Sequence, residues 1–427
     1  MIPPNSRPVT RTRGAAVSEP HEGLAEPPRD GAPESTRVSL KGPTAARARR
    51  LLLASAWIRP PATLLDSLAA SCDRKTWELA AAASEQIHLE PLFLAFMEAH
   101  FPEAPLSPET RTRLETQKRL HAFRWDELRE TMEDVLEALQ THGPPPILLK
   151  GMATLGALYD PPRLRPMRDL DLLIHPDAVE TAHRTLLARH FVPSPELPDA
   201  DYHVHHHLAP VFHPSTGVCV ELHRHPLCAR SMLPGVPPPE DYWKTPGASQ
   251  APPLAGNPEE PAAAVLSPTL QFLVTTLHFT HGDHIGGRIT HLFDLSRLLE
   301  LHGPEVDWDR LVGYAQSPGL ASSFAFSLGY LALEGLPTAP PAILDAFQRI
   351  ARLREWESRL LFALMRRYRV GLPGPWPGIS PRIGNILWHS TLKRAPLGRR
   401  GLFTAQAILS RGRQSREEQR RRRALAD

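Results

Sequence analysis

Cysteine is nearly absent. A chain of 427 residues holds three, Cys72, Cys219 and Cys228. Three thiols build no disulfide framework, and without a Cys-x-x-Cys pair there is no thiolate zinc site. A reducing compartment, the cytoplasm, is therefore the expectation. Long hydrophobic runs are missing as well. The longest uncharged stretch lies between Arg310 and Glu334 and includes Gln316, Ser317, Pro318, Ser322, Ser323 and Ser327. That is too polar for a membrane span of about 20 apolar residues, so it reads as a buried helix broken at Pro318 and no membrane partner is expected. No apolar segment accompanies the arginines of the N-terminus, so no secretory leader is expected. There is no Gly-X-Y period and no internal repeat of fixed length, which excludes a collagen-like fibre.

Proline, by contrast, is abundant: 47 residues, with 41% hydrophobic and 22% charged residues around them. This is enough apolar material for a sizeable core with irregular stretches outside it. The length suggests two or three domains. The net charge of +3 is unevenly spread. From Ser390 onward there are eleven Lys or Arg against three Asp or Glu, so the end carries +8 and the rest −5.

The pattern along the chain divides it into six parts. Residues 1–45 are Pro-rich and read as a disordered tail. Residues 46–143 read as helical. Leu120, Phe123, Leu128, Met132, Val135, Leu136 and Leu139 fall on one helix stripe, which His142-Gly143 and Pro144-Pro145-Pro146 end. Residues 144–230 change character. Strands are expected at Ile147–Lys150, Arg168–Ile174, His207–Phe212 and Val218–Leu222, with helices after Gly151 and after His175-Pro176-Asp177, and a turn at 213–217. Residues 231–266 read as a Pro-rich connection with a contact at Tyr242-Trp243, 267–389 as helices, and 390–427 as a basic tail. The expected fold is α+β: a small mixed sheet flanked by helical regions, with disordered ends.

One constellation carries chemistry. Residues two apart on a strand share a face, so Asp169 and Asp171 project together, and Glu221 joins them if its strand pairs nearby. Clustered carboxylates repel unless a cation lies between them. Hard oxygen ligands suit Mg²⁺ or Mn²⁺, which share coordination with substrate phosphates. Neutralising one carboxylate is then expected to leave the fold intact, or even relieve repulsion. Lys150-Gly151, at a strand end before a helix, reads as a phosphate cradle. Arg165 reads either as a triphosphate contact or as an ion-pair partner of Asp169.

Several histidines stand nearby. His203, His205, His206 and His207 look like a metal tract, but alternating members fall on opposite strand faces, which points instead to structural or solvated roles; His223 and His225 read the same way. His278 and His281 share a helix face at i, i+3, spacing that suits zinc with Asp294 as a third ligand, or ordinary core hydrogen bonding. The tail Arg411–Arg423 reads as a solvated run, its alternative being an electrostatic hold on nucleic acid.

Leu149-Lys-Gly151, Arg165-Pro-Met-Arg-Asp-Leu-Asp171-Leu-Leu-Ile174 and Glu221-Leu-His223 resemble the bacterial uncharacterised nucleotidyltransferase family of the DNA polymerase β-like superfamily. His278-x-x-His281 and Asp294 match its helical part, and the resemblance covers about 120–340. It implies metal binding by Asp169, Asp171 and Glu221, substrate contacts from Lys150, Gly151, Arg165, His278, His281 and Asp294, an NTP as donor and an acceptor of unnamed class. Met152 stands where much of the superfamily has serine. The rival expectation is a non-catalytic nucleotide-binding or regulatory protein on the same sheet.

Overall fold

The structure, a computed structural model, describes residues 42–141, 143–154, 158–194, 205–227, 233–244, 249–250, 263–281 and 289–368, together with Leu392. The expected tail 1–45 lies outside them up to residue 41, and the expected basic tail lies outside them apart from Leu392, which is fully buried in the helical core.

Five helices come first: α1 (Pro43–Ala54), α2 (Ala62–Ser71), α3 (Arg74–Gln86), α4 (Glu90–His100) and α5 (Pro108–Leu139). The start of α5 is written in its sequence. Pro108 stands where a helix has no use for an N–H, and Ser107 Oγ accepts from the Thr110 N–H at 3.2 Å. The C-terminal half of the α5 stripe, Leu128, Met132, Val135, Leu136 and Leu139, is buried, each side chain stabilising by about 1.5–3 kcal/mol. The N-terminal part is not: Leu120 and Phe123 are exposed. The periodicity holds, but α5 is 32 residues long and only its second half has a sheet to cover.

The strands are β1 (Ile147–Leu148), β2 (Asp169–Leu173), β3 (Val192–Pro193), β4 (Val211–Phe212), β5 (Cys219–His223), β6 (Ser249–Gln250) and β7 (Ala264–Val265), in sheet order β3-β4-β5-β2-β1-β7-β6. The sheet is mixed. β2 runs parallel to β5 and β1 parallel to β7, while β1–β2, β3–β4, β4–β5 and β6–β7 are antiparallel. Helix α6 (Val179–Ala188) follows β2 and lays Val179, Ala182 and Leu186 on the sheet. The β4–β5 turn is held from α5: Thr131 Oγ1 meets Thr216 Oγ1 at 2.7 Å, and Asp134 Oδ2 lies 3.0 Å from His213 Nε2.

Several sequence expectations are corrected. The segment after Gly151 makes a short 3-10 turn at Met152–Thr154, not an α-helix, over its described residues. His207 makes an isolated bridge to His223, and the strand expected from it starts only at Val211. Within the Pro-rich connection lie a short helix α7 (Asp241–Lys244), β6 and the whole of β7. Two-residue strands carry too little alternation to be read from sequence.

The remaining helices are α8 (Pro268–His281), α9 (Ile289–His302), α10 (Trp308–Tyr314), α11 (Pro318–Leu333), α12 (Pro341–Ala351) and α13 (Glu355–Tyr368). Pro318 is the first residue of α11, capped by Ser317, so the break expected there is the gap between two helices. No helix among the described residues is long and apolar enough to cross a membrane. Two cores result. One joins α5, α6 and one sheet face through Leu170, Leu172, Val220 and Leu222. The other joins α1–α4 to α8–α13 and reaches the opposite sheet face at Ile147, Leu149 and Leu173. The helices at the two ends of the sequence thus share one core.

Candidate active site

β2 and β5 alternate. Leu170, Leu172, Val220 and Leu222 point into the α5–α6 core, so Asp169, Asp171, Glu221 and His223 point the other way. The parallel register sets Asp171 opposite Glu221 and Asp169 opposite Cys219. Asp171 is buried, Asp169 and Glu221 partly so, and one ligand atom from each of Asp171, Glu221 and His223 falls within 4.8 Å of the others. The sequence suggests a structural or solvated role for His223, and the structure places it in the cluster. Extending the two-residue period of β5 from Glu221 by one step would have found it.

The cluster carries its own cations. Lys150 Nζ donates to Asp171 Oδ1 at 2.6 Å and stands 3.6 Å from Glu221 Oε2. His223 Nε2 lies 2.8 Å from Asp171 Oδ1 and 3.4 Å from Glu221 Oε2. Burial opposes charge on each partner, yet the network overcomes it. Lys150 and His223 hold Asp171 below the usual carboxylate range, His223 and Lys150 do the same for Glu221, and the three carboxylates hold the Lys150 ammonium above its ordinary value. Partial burial, with Glu221, Asp169 and Asp171 nearby, pushes the Cys219 thiol up to about 12.

The repulsion foreseen from sequence is therefore answered first by Lys150 and His223. Lys150 reaches the carboxylates from a left-handed backbone, φ 49°, a conformation few non-glycine residues adopt and one that clusters at functional sites. Gly151 has a packing reason: a Cβ there would meet Met167 Sδ at 2.6 Å and Met167 Cγ at 2.7 Å.

Arg165 does not pair with Asp169. Its Nε and Nη2 donate to Asp294 Oδ1 and Oδ2 at 2.9 and 2.8 Å, a two-pronged buried pair that Tyr159 OH joins at 2.8 Å. This pair ties the loop before β2 to α9. His278 and His281 separate. His278 Nε2 donates to Pro226 O at 2.9 Å, and burial together with the charge of Lys150 depresses its pKa. His281 Nε2 meets Ser323 Oγ at 2.9 Å inside the helical core. Of the expected helical trio, His278 borders the carboxylate cluster, Asp294 holds Arg165, and His281 packs against α11.

His205 and His206 sit on a bend and His207 on the isolated bridge that follows it, not on alternating faces of one strand, and the three offer ligand atoms within 4.8 Å of one another. His203 lies outside the described residues. Burial makes His206 and His207 poor bases, His207 down to about 4.

A family model described as "Uncharacterised nucleotidyltransferase" matches residues 73–333, more than half of the chain. The chain belongs to that family. No curated protein and no solved structure matches it. The family match spans the whole of the β2–β5 site, Lys150, the Arg165–Asp294 pair and α8 to α11. For this nucleotidyltransferase-family chain, Lys150→Met is expected to lower metal-free stability by about 1.5–3 kcal/mol, the worth of a hydrogen bond between charged groups. Millimolar Mg²⁺ should restore part of it, because a divalent ion can take over the neutralising charge. Urea unfolding with chelator and then with Mg²⁺ checks both.

Proposed function

We propose that this chain is a metal-dependent nucleotidyltransferase of the DNA polymerase β-like kind, moving a nucleoside monophosphate from an NTP to an acceptor hydroxyl with release of pyrophosphate. The observation that carries the reading is the parallel β2–β5 register, which sets Asp171 against Glu221 with Asp169 two residues before it on the same face.

The donor set suits a hard divalent cation: carboxylate oxygens of Asp169, Asp171 and Glu221, gathered on one face and now neutralised by a lysine. Mg²⁺ or Mn²⁺ held there would neutralise charge on the transferring phosphate and the leaving pyrophosphate. The chain's own groups do the rest. Lys150 supplies a positive charge that serves either the carboxylates or a triphosphate oxygen. Glu221, kept ionised by His223 and Lys150, is the carboxylate placed to accept a proton from the acceptor hydroxyl. The acceptor oxygen bonds to the α-phosphorus as the bond to the β-phosphate oxygen breaks. Helix α8, with His278 beside the cluster, forms the acceptor-side wall.

A second reading is a nucleotide-binding or regulatory protein without turnover. The ammonium bonded directly to Asp171 favours it. Pyrophosphate release decides between them. With each of the four NTPs, Mg²⁺ or Mn²⁺ and cell extract as acceptor, release is expected for one or more NTPs and not for Asp169→Asn. NTP- and metal-dependent thermal stabilisation without release would favour the second reading, and no metal-dependent stabilisation at all would refute both.

A further inference from the structure

Lys150 is a cation that the carboxylates carry with them. Its Nζ donates to Asp171 Oδ1 at 2.6 Å and stands 3.6 Å from Glu221 Oε2. One ammonium thus spans the two carboxylates that the β2–β5 register sets opposite each other. An ammonium and a divalent ion on the same carboxylate oxygen are like charges a few ångströms apart, with little water to screen them. A divalent ion that arrives alone must displace Lys150, and the displaced ammonium then needs a new counter-charge.

The backbone on either side of Lys150 is held. Leu149 N donates to the Asp171 carbonyl at 3.0 Å, and the Gly151 carbonyl accepts from Thr154 N at 3.1 Å and from Thr154 Oγ1 at 2.6 Å. The side chain is held less. Lysine has a flexible four-carbon stem, and the side chains of Lys150 and Glu221 are 23% and 20% exposed. The ammonium can swing off Asp171 while its Cα stays in place. Of the two groups that neutralise the cluster, His223 is wholly buried and Lys150 is not. Arg165, the other cation read from sequence as a triphosphate contact, is spent on Asp294. Lys150 is therefore the cation beside the carboxylates that an incoming triphosphate can meet.

We propose that Lys150 makes metal binding conditional on nucleotide: its ammonium holds Asp171 and Glu221 until the triphosphate of an NTP draws it away, and the carboxylates then take the divalent ion that accompanies the NTP. This rests on the nucleotidyltransferase reading and adds an order of events to it. Metal without nucleotide competes with a tethered ammonium, so its apparent affinity falls with the fraction of time the carboxylates are open. A triphosphate without metal gains Lys150 but brings negative charge beside carboxylates that have just lost it. Together the two ligands leave no charge unmet, and by linkage each strengthens the other by the same factor. The bond that gives the nucleotide-free protein the look of a non-catalytic binder is then the bond that keeps metal out until substrate is present.

The test uses the full chain and two titrations. Mn²⁺ binding to the nucleotide-free protein is followed by loss of its paramagnetic resonance signal. Binding of the α,β-methylene analogue of each of the four NTPs, whose α–β link resists cleavage, is measured by equilibrium dialysis with Mn²⁺ and with chelator. In wild type, Mn²⁺ should strengthen binding of at least one analogue by about 5–150-fold, the usual size of coupling between sites. Lys150→Met should move the two affinities in opposite directions, Mn²⁺ alone tighter and the analogue with Mn²⁺ weaker, each by about 10–100-fold, as for other changes beside a metal site. If Lys150→Met is too unstable to titrate, Lys150→Gln, which keeps a donor for Asp171, should give the same two shifts. Lys150→Arg keeps the charge and should bind Mn²⁺ alone as weakly as wild type. No Mn²⁺-dependent binding of any analogue to wild type would sink the nucleotidyltransferase reading and this inference with it. Coupled binding in wild type, with Mn²⁺ affinity unchanged or lowered in the uncharged variants, would overturn the inference alone. Equal tightening in Lys150→Arg would overturn it too, by making packing rather than charge the cause.

Discussion

Asp171→Asn is expected to destabilise the metal-free protein by about 3–5 kcal/mol, the cost of breaking a buried ion pair from one side. The sequence alone suggests the opposite, since removing one of three like charges should relieve repulsion. The structure reverses the sign. Asp171 is 2% exposed and accepts from both Lys150 and His223. An amide in its place leaves an ammonium and an imidazole facing weaker counter-charge in a buried setting. The same variant should lose at least about 100-fold in metal-dependent NTP binding, for the reason that a ligand matters more than its outer support. Urea unfolding with chelator reads the first effect, and melting shifts with Mg²⁺ and NTP read the second. Wild-type stability in the metal-free variant would mean that the Lys150–Asp171–His223 network contributes nothing net. A cycle with Lys150→Met isolates the pair: the two losses should fall short of additivity, because each removes the same contact.

The second large effect is at Arg165. Arg165→Ala should cost about 3–5 kcal/mol at neutral pH by leaving the Asp294 carboxylate buried and short of its main counter-charge. Arg165→Met/Asp294→Leu should recover most of that, since matched apolar replacement of a buried pair is often near neutral. The pair also dictates an acid response. Burial would raise the Asp294 pKa, but Arg165 and His291 hold it below the ordinary carboxylate value. A depressed folded pKa gives stability that is complete above the unfolded value, near 3.9, and fades as pH falls below it. Wild type should therefore lose stability from about pH 4 downward more steeply than the double variant. Unfolding midpoints between pH 2 and 7 for both proteins test this, and parallel curves would contradict it.

The strands of the carboxylate cluster are legible because each side chain has one demand on it. In Asp169-Leu-Asp171-Leu and in Val220-Glu221-Leu, alternate residues must be apolar for the α5–α6 core, so the period of two survives in the sequence. What failed is instructive in the same terms. Arg165 was readable as a partner for Asp169 four residues away, but its partner Asp294 lies 129 positions on, in a helix whose docking no local pattern encodes. Leu120 and Phe123 keep a perfect stripe and cover nothing, because periodicity says which residues face together and not whether a neighbour is there. The His205–His207 segment is the other departure: its sequence alternates like a strand, but 205 and 206 form a bend and His207 an isolated bridge. On a bend the alternation rule does not apply, and three neighbours can meet.

The helical core shared by both ends of the sequence has a consequence for synthesis. Arg297 on α9 donates to the Ser55 carbonyl, and Glu300 accepts from the Ile58 and Arg59 N–H groups, contacts that span about 240 residues. At about 5–20 residues per second, a ribosome that has just made α1 needs about 12–50 s more to supply its partners. Through that interval Leu51, Leu52 and Leu53, all buried in the finished fold, lack the α8–α13 part of their core. The α5–α6 core with its sheet strands β2 and β5 draws on residues 128–222 apart from Ala263 and can close much sooner. Folding on the ribosome should thus proceed from the middle outward, with the N-terminal helices waiting for the C-terminal ones and needing protection from aggregation while they wait.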